Sequence, residues 1–214
     1  MTDIIGSTLF FERYAMLTLY YCYDTSWTVF EKGESPDFYN KELNIGIEVA
    51  RAISRNKAVV DRIANEFFGK GLDIDTLNAK VQKKHPKFKG KIKEEKGIKY
   101  ISSSYTYFSD HMDLVNQRIT EKTRKLNKNY TVYKNNFLYI FAHVSFIQHD
   151  IDYIIDFIKK KIDNYEYKFD TYFINCMNQL IIISYPDYHV QKIDISDKLL
   201  KDIKKEARTL IDDK

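Results

Sequence analysis

The stretch ESPDFYNKELNIGIEVARAIS, residues 34–54, places two acidic residues in unusual surroundings. Asp37 directly follows a proline, and Glu48 interrupts an apolar run eleven positions later. An unpaired carboxylate in a half-buried strand is costly unless a cation or hydrogen bonds satisfy it. The stretch therefore predicts one of two arrangements. Either both carboxylates face one metal ion, or Glu48 points to solvent from an edge strand while Asp37 caps a turn.

Alternation along the strand predicted at 45–50 decides what surrounds Glu48. Gly46 and Ala50 share its face, because successive strand side chains point to opposite sides. Both neighbours are small, so we expect open space around Glu48 for water and phosphate. Mg²⁺ takes one or two protein carboxylates together with waters and phosphate oxygens, which suits such a site.

The composition favours a mixed helix and sheet protein. The chain has 214 residues, of which 44% are hydrophobic and 15% aromatic, with only 7 Gly and 3 Pro. That is enough apolar material for a core, and it contains too few turn residues for many short strands. We expect an α/β (α+β) fold in a single domain, residues 1–214. The two cysteines are expected to be reduced core thiols.

Hydrophobic periodicity divides the chain into alternating helices and strands. The first helix can be capped by Ser7 or Thr8, and a later one begins at Ser109-Asp110, a favourable start for a helix. Helices are predicted at 7–23, 55–69, 74–84, 109–127, 149–163 and from 196 onward, with strands at 27–31, 45–50, 99–105, 135–144 and within 168–194.

SPDF followed by IGIEVARA resembles the core of the PD-(D/E)XK nuclease superfamily. More narrowly, it is similar to uncharacterised bacterial and phage proteins with a PD…IGIEV signature. The resemblance covers roughly residues 8–70 and extends through RITEKTRKLNKNY, residues 118–130, and the strand after it. It implies a restriction-endonuclease-like fold, in which helices flank a central mixed sheet.

The resemblance also implies site residues. Asp37 and Glu48 would be metal ligands and catalytic residues, with Mg²⁺ or Mn²⁺ as the cofactor. Glu12 matches an acid that many members carry on the first helix, and its apolar neighbours at helical spacing allow it to face the same site. The alternative for Glu12 is an ordinary exposed helix charge.

One position departs from the family pattern. A lysine is expected two residues after the glutamate, and Ala50 stands there. In the family that lysine orients the attacking water and offsets charge on the phosphate. Lys122 is the replacement we predict, because it continues a stripe of apolar residues on the helix at 109–127. Its ammonium either points into a polar pocket or extends to the solvent edge. The stripe comprises Met112, Val115, Ile119 and Leu126.

Residues 80–99 form a basic segment with nine Lys against two Glu, in a chain whose formal net charge is only +4. Such a segment favours a polyanionic partner. We predict a Lys-rich loop or flap that binds nucleic acid, with DNA preferred over RNA. A solvated loop without a partner is the alternative. The predicted contacts are Lys83, Lys84, Lys87, Lys89, Lys91 and Lys93.

Two functions are compatible with the sequence. One is a metal-dependent nuclease that hydrolyses phosphodiester bonds with a relocated lysine. The other is a catalytically inactive module of the same fold that binds nucleic acid or protein, for instance in phage–host conflict, and Ala50 favours it. His149-Asp150 resembles the metal pair of HD-type phosphohydrolases, although Asp150 is better explained as a helix first-turn charge. We expect a cytoplasmic protein without a membrane partner, and leave open a protein partner or a homodimer.

Overall fold

A computed structural model describes most of the chain. The described residues are 8–25, 30–53, 63, 66, 71–86, 88, 90–95, 98–102, 108–142, 145–176 and 178–212. Most of the strand predicted at 27–31 lies outside these residues, as does most of the helix predicted at 55–69.

Helices and strands alternate along the described residues. In chain order they are α1 (Thr8–Cys22), β1 (Glu31–Lys32), β2 (Phe38–Asn40), β3 (Ile45–Ala52), α2 (Ile74–Lys84), β4 (Lys91–Glu95), β5 (Ile98–Ser102), α3 (Phe108–Leu126), β6 (Asn135–Ala142), α4 (Gln148–Lys161), β7 (Thr171–Cys176), β8 (Gln179–Ser184), β9 (His189–Asp194) and α5 (Asp197–Asp212).

The chain divides into two compact units. The larger unit combines Thr8–Ile53 with Phe108–Lys214, and the smaller one includes the described residues of Ser54–Tyr107. The expectation of a single domain stays a prediction.

The larger unit is built on one mixed sheet. Its seven described strands lie in the order β1-β2-β3-β6-β7-β8-β9. β6 pairs in parallel with β3 on one side and with β7 on the other. The remaining pairings in this sheet are antiparallel.

Helices cover both faces of this sheet, which confirms the predicted α+β class with a helix-flanked mixed sheet. On one face, α3 and α4 pack against Ala50, Leu138 and Ile174, and on the other, α1 and α5 pack against Ile47 and Phe173. We call these the α3–α4 face and the α1–α5 face. Strands buried on both sides read as continuous apolar runs, as in QLIIIS of β8.

The smaller unit contains α2, β4 and β5. Leu77 and Val81 of α2 pack with Ile92 of β4 in a small core. The side chain of Asn78 joins the two elements, because its amide accepts from the N–H of Ile92 at 2.8 Å and donates to the carbonyl of the same residue at 3.0 Å.

Much of the described part of the Lys-rich segment belongs to regular elements, where we expected a loop or flap. Residues 80–84 end α2, whose side chains at Leu77 and Val81 are buried. Residues 91–95 form β4, which pairs antiparallel with β5. Ile92 is the buried position of a strand whose other side chains are exposed, and that single apolar residue anchors the hairpin.

Candidate active site

Glu48 lies near the middle of β3, between β2 and β6. Its strand position places it on the α3–α4 face, together with Ala50 and Ala52. The residue is only 2% exposed. The alternative of a Glu that points to solvent from an edge strand is wrong, because β3 is an interior strand and the side chain is buried.

Two donors meet a single oxygen of this carboxylate. The Lys122 ammonium contacts Glu48 Oε1 as a close ion pair, and the Tyr130 hydroxyl donates to the same oxygen at 2.8 Å. Glu48 Oε2 is also buried, and it has no hydrogen-bond partner among the described residues. The two oxygens of Glu48 thus lie in different environments.

Lys122 occupies the place that the helical stripe predicted. Val115, Ile119 and Leu126 are buried on the α3–α4 face, and Met112 packs against them. The Lys122 side chain is 17% exposed, and its ammonium turns inward to Glu48 instead of extending to solvent. Of the two predicted orientations, the structure shows the one that reaches a polar pocket.

Asp37 precedes β2 and lies half-buried beside β3. Its Oδ2 accepts a hydrogen bond from the Val49 N–H at 2.7 Å. The pairing of β2 with β3 ends at Phe38, which is opposite Ile47. Two residues further along β3, the Asp37 side chain accepts the hydrogen bond of the Val49 N–H. Asp37 thereby binds the residue next to Glu48 in sequence.

Burial raises the pKa of the Asp37 carboxyl from 3.8 to about 6, and the negative charge of Glu48 adds to the increase. The Val49 N–H and the Lys122 ammonium act in the opposite direction, while Glu12 raises the pKa further. Burial and the neighbouring negative charges therefore raise the pKa of Asp37 by more than the Val49 N–H and the Lys122 ammonium lower it. An added cation would favour the ionised form of Asp37.

Glu12 is buried on α1, as the apolar neighbours at helical spacing suggested, with 6% exposure. Lys32 of β1 lies with its ammonium 3.0 Å from Glu12 Oε2. The charge of Glu12 acts on Asp37, but its carboxylate already has a cationic neighbour. The alternative of an exposed helix charge is wrong, and the predicted ligand role stays a prediction.

The described residues contain no group of three or more His, Cys, Asp or Glu side chains arranged to hold a metal ion. Asp37 is linked to the Glu48 strand through its bond to the Val49 N–H, and the charge of Glu12 acts on Asp37. A cation at this site would rely on one or two carboxylates with water and substrate oxygens for the remaining ligands, which is the usual Mg²⁺ pattern.

The expected open space beside Glu48 is wrong at both neighbours. A Cβ at Gly46 would lie 2.6 Å from Tyr133 Cδ2 and 3.0 Å from Pro36 Cγ, so these side chains fill that position. Ala50 is 5% exposed and belongs to the apolar core of the α3–α4 face. Glycine at 46 is required for the close approach of Tyr133 and Pro36.

Tyr130 is the site residue that sequence reasoning missed. The hydroxyl of Tyr130 contacts Glu48, across 82 positions of sequence. No periodic signal identifies it, because it follows the end of α3 in an irregular connection.

The Arg51 side chain lies on the opposite face of the sheet from Glu48. Its guanidinium is 3.7 Å from the centre of the Phe11 ring, on the α1–α5 face. The Arg51 side chain therefore lies apart from the residues around Glu48. Asp150 caps the N-terminus of α4, because its Oδ2 accepts a hydrogen bond from the Ile147 N–H at 2.8 Å. His149 beside it is exposed.

The lysines of the basic segment belong to the smaller unit. Lys83, Lys91 and Lys93 are exposed. Lys84 is also exposed, but its ammonium lies 2.6 Å from Glu66 Oε1. Lys87 and Lys89 lie outside the described residues.

The larger unit also has a cavity of about 500 Å³, among Phe10, Tyr14, Phe141 and Leu200 on the α1–α5 face. This is the sheet face opposite Glu48. We take Asp37, Glu48 and Lys122, and not this cavity, as the candidate active site, because they are the predicted site residues that the structure brings close together.

Comparisons with protein-family models, with curated proteins and with solved structures find no match for this chain. Within the described part of the chain, no helix has both the length and the apolar character needed to cross a membrane.

Proposed function

We propose that the chain is a metal-dependent nuclease of the PD-(D/E)XK type that hydrolyses phosphodiester bonds in nucleic acid. The observation that carries this proposal is the contact of the Lys122 ammonium with buried Glu48. Position 50 lacks the family lysine, and the helix packed on that strand supplies a lysine to the same carboxylate. Asp37, beside the next residue of the strand, provides the other acid.

The residues present fit a divalent cation. Glu48 Oε2 is a buried carboxylate oxygen without a hydrogen-bond partner in the described structure. Burial and then the charge of Glu48 raise the pKa of Asp37, and the Val49 N–H and the Lys122 ammonium do not fully offset them. Asp37 and Glu48 would hold Mg²⁺ or Mn²⁺, with Glu12 close enough to add its charge. The chemistry that such an ion supplies when bound is polarisation of a phosphoryl oxygen and activation of water.

Lysine side chains have two further roles in this proposal. The Lys122 ammonium offsets negative charge that develops on the phosphate, and exposed lysines of the basic segment bind the nucleic-acid backbone. Ala50 needs no catalytic role, because it packs in the core. DNA is the preferred substrate in this proposal.

A second candidate is an inactive module of the same fold that binds nucleic acid or a protein. The ion pair itself favours it, because an ammonium held by Glu48 occupies one ligand oxygen. The absence of a three-residue metal group among the described residues points the same way.

Plasmid nicking with Mn²⁺ separates the two candidates. We expect supercoiled plasmid to be cut by the wild type, and Asp37→Asn, Glu48→Gln and Lys122→Ala to be slower by about 100-fold or more. Asp152→Asn, an exposed substitution on α4, is the matched control and should cut normally. Equal nicking by all variants would indicate a contaminating nuclease and would overturn the proposal. DNA retardation without any nicking would favour the inactive module.

A further inference from the structure

The two hydrogen-bond donors to Glu48 restrict its carboxylate more than one donor could. Lys122 and Tyr130 both approach Oε1, from α3 and from the chain that follows it. A carboxylate bound at one oxygen from two directions loses its freedom to rotate. Oε2 is then held in a fixed place, buried and without a partner among the described residues.

Tyr130 acts as a neutral donor. Its hydroxyl donates to Glu48 Oε1 at 2.8 Å, so it contacts the carboxylate as an uncharged O–H group. A neutral donor orients the carboxylate without adding a second positive charge that would repel a divalent cation.

The backbone on either side fixes Tyr130 in relation to both acids. The N–H groups of Asn129 and Tyr130 donate to the carbonyl of Lys125 at 2.8 and 3.3 Å, which ties the residue to the end of α3. The Thr131 N–H donates to the Ser35 carbonyl at 3.4 Å, two residues before Asp37. Tyr130 is therefore coupled to the helix that bears Lys122 and to the segment that bears Asp37.

We infer that Tyr130 is a positioning residue of the site, which together with Lys122 fixes Glu48 Oε1 and so presents Oε2 to a divalent cation. The inference rests on the proposed function. It gives the two carboxylate oxygens different roles, because one oxygen is held by the protein and the other is left for the metal.

Tyr130→Phe tests this, because it removes the hydroxyl and keeps the ring that packs against the core of the α3–α4 face. Mn²⁺ affinity is measured by isothermal titration calorimetry without nucleic acid. We expect affinity to fall by about 10- to 100-fold, the usual effect of removing a group that orients a metal ligand. Far-UV circular dichroism verifies that the variant is folded.

Tyr188→Phe is the matched control. The Tyr188 hydroxyl donates to Asp163 Oδ1 at 2.6 Å, so this change also removes a hydroxyl–carboxylate bond in the same unit. It should lower the melting temperature to a similar extent and leave Mn²⁺ affinity unchanged. A merely structural role for Tyr130 would give the same result in both variants.

The Glu48→Gln background provides a second measurement. If Tyr130 acts through Glu48, adding Tyr130→Phe to Glu48→Gln should weaken Mn²⁺ binding no further. Equal Mn²⁺ affinity in Tyr130→Phe and in the wild type would overturn the inference alone. A wild type that binds no Mn²⁺ would overturn the nuclease proposal, and the inference with it.

Discussion

Lys122 and Glu48 form an ion pair that water scarcely reaches, with side-chain exposures of 17% and 3%. Removing one partner of a buried pair leaves the other charge uncompensated, which costs about 3 kcal/mol or more. We therefore expect Lys122→Met to lower the free energy of unfolding by roughly that amount, measured by urea denaturation. Lys125→Met, an exposed lysine on the same helix, should change it by less than about 0.5 kcal/mol.

Divalent cations should change the stability of the wild type and of Lys122→Met by different amounts. Mn²⁺ should stabilise Lys122→Met more than it stabilises the wild type, because loss of the ammonium leaves the Glu48 charge uncompensated and increases its attraction for a divalent cation. The double variant Glu48→Gln with Lys122→Met should recover most of the lost stability and respond to Mn²⁺ no longer. Equal stabilisation of all three proteins by Mn²⁺ would place the cation elsewhere.

The pKa of Asp37 predicts a pH dependence of stability. The folded protein raises this pKa from 3.8 to about 6 through burial and the charge of Glu48. A raised pKa favours the protonated form in the folded state. The associated stability is therefore present below about pH 4 and is lost as the pH rises through 6. Over this interval, the wild type should lose roughly 2–3 kcal/mol relative to Asp37→Asn, as measured by chemical denaturation.

Mn²⁺ provides the control for this titration. A cation beside Asp37 lowers its pKa, so saturating Mn²⁺ should reduce the loss between about pH 4 and 6 in the wild type but not in Asp37→Asn. Parallel stability curves for the two proteins without metal would contradict the raised pKa.

Individual site residues differ in how far the sequence could reveal them. Asp37 and Glu48 stand out because acids beside or within an apolar strand need a partner. Lys122 follows from helical spacing, since position 122 continues a buried stripe. Tyr130 and the Lys32 neighbour of Glu12 depend on tertiary contacts that no local period encodes.

At the scale of elements, β3 and the connection between α3 and β6 are held together by close packing. The Tyr133 ring lies over Gly46 and stacks on Tyr39 at 6.1 Å between ring centres. The side chain of Asn136 bonds the Tyr133 backbone on both its N–H and its carbonyl. This connection carries Tyr130, so the fit at Gly46 helps to position the site.

Gly46→Ala should disturb this fit. Its new Cβ would lie 2.6 Å from Tyr133 Cδ2, closer than side chains tolerate, so the connection or Pro36 must move. We expect a loss of about 1–3 kcal/mol in unfolding free energy, the usual cost of overpacking, together with weaker Mn²⁺ binding. Both are measured by denaturation and calorimetry on the same preparation.

Tyr133→Ala in the Gly46→Ala background is the check on this explanation. Removing the ring opens the space that the new methyl needs, so the double variant should lose less than the sum of the two single changes. Additive losses would mean that the methyl does not meet the ring. An unchanged Mn²⁺ affinity in Gly46→Ala would show that the connection between α3 and β6 does not position the metal site.

Most elements could be predicted because their hydrophobic periods are strong. The helices at 7–23, 74–84 and 109–127 appear as α1, α2 and α3, with ends that shift by one residue or less. The space around Glu48 could not be predicted, because a glycine is compatible both with a gap and with a place where another side chain packs. Only the tertiary position of Tyr133 decides between these possibilities.

At the scale of the whole molecule, charge composition identified the basic segment but not its structure. Lys83, Lys91 and Lys93 are exposed in the helix and strand that the structure shows. They would be exposed in a loop as well, so their charge says little about backbone conformation. The hairpin depends on one buried residue, Ile92, and on its pairing with Asn78. Those interactions are too sparse to form a periodic signal.

The proposed role of this segment predicts how salt affects DNA binding. Each lysine that no longer binds a phosphate reduces the slope of log affinity against log salt by about 0.9. Replacing Lys83, Lys91 and Lys93 by Gln should therefore make the slope shallower by roughly 2–3, measured by fluorescence anisotropy with duplex DNA between about 50 and 200 mM salt. Lys84 is left unchanged because its ammonium already contacts Glu66. Replacing Lys159, Lys160 and Lys161 at the end of α4 removes the same charge from another basic run and should change the slope little. Equal effects of the two triple variants would mean that DNA responds to net charge alone, and that this segment is not the surface that binds the backbone.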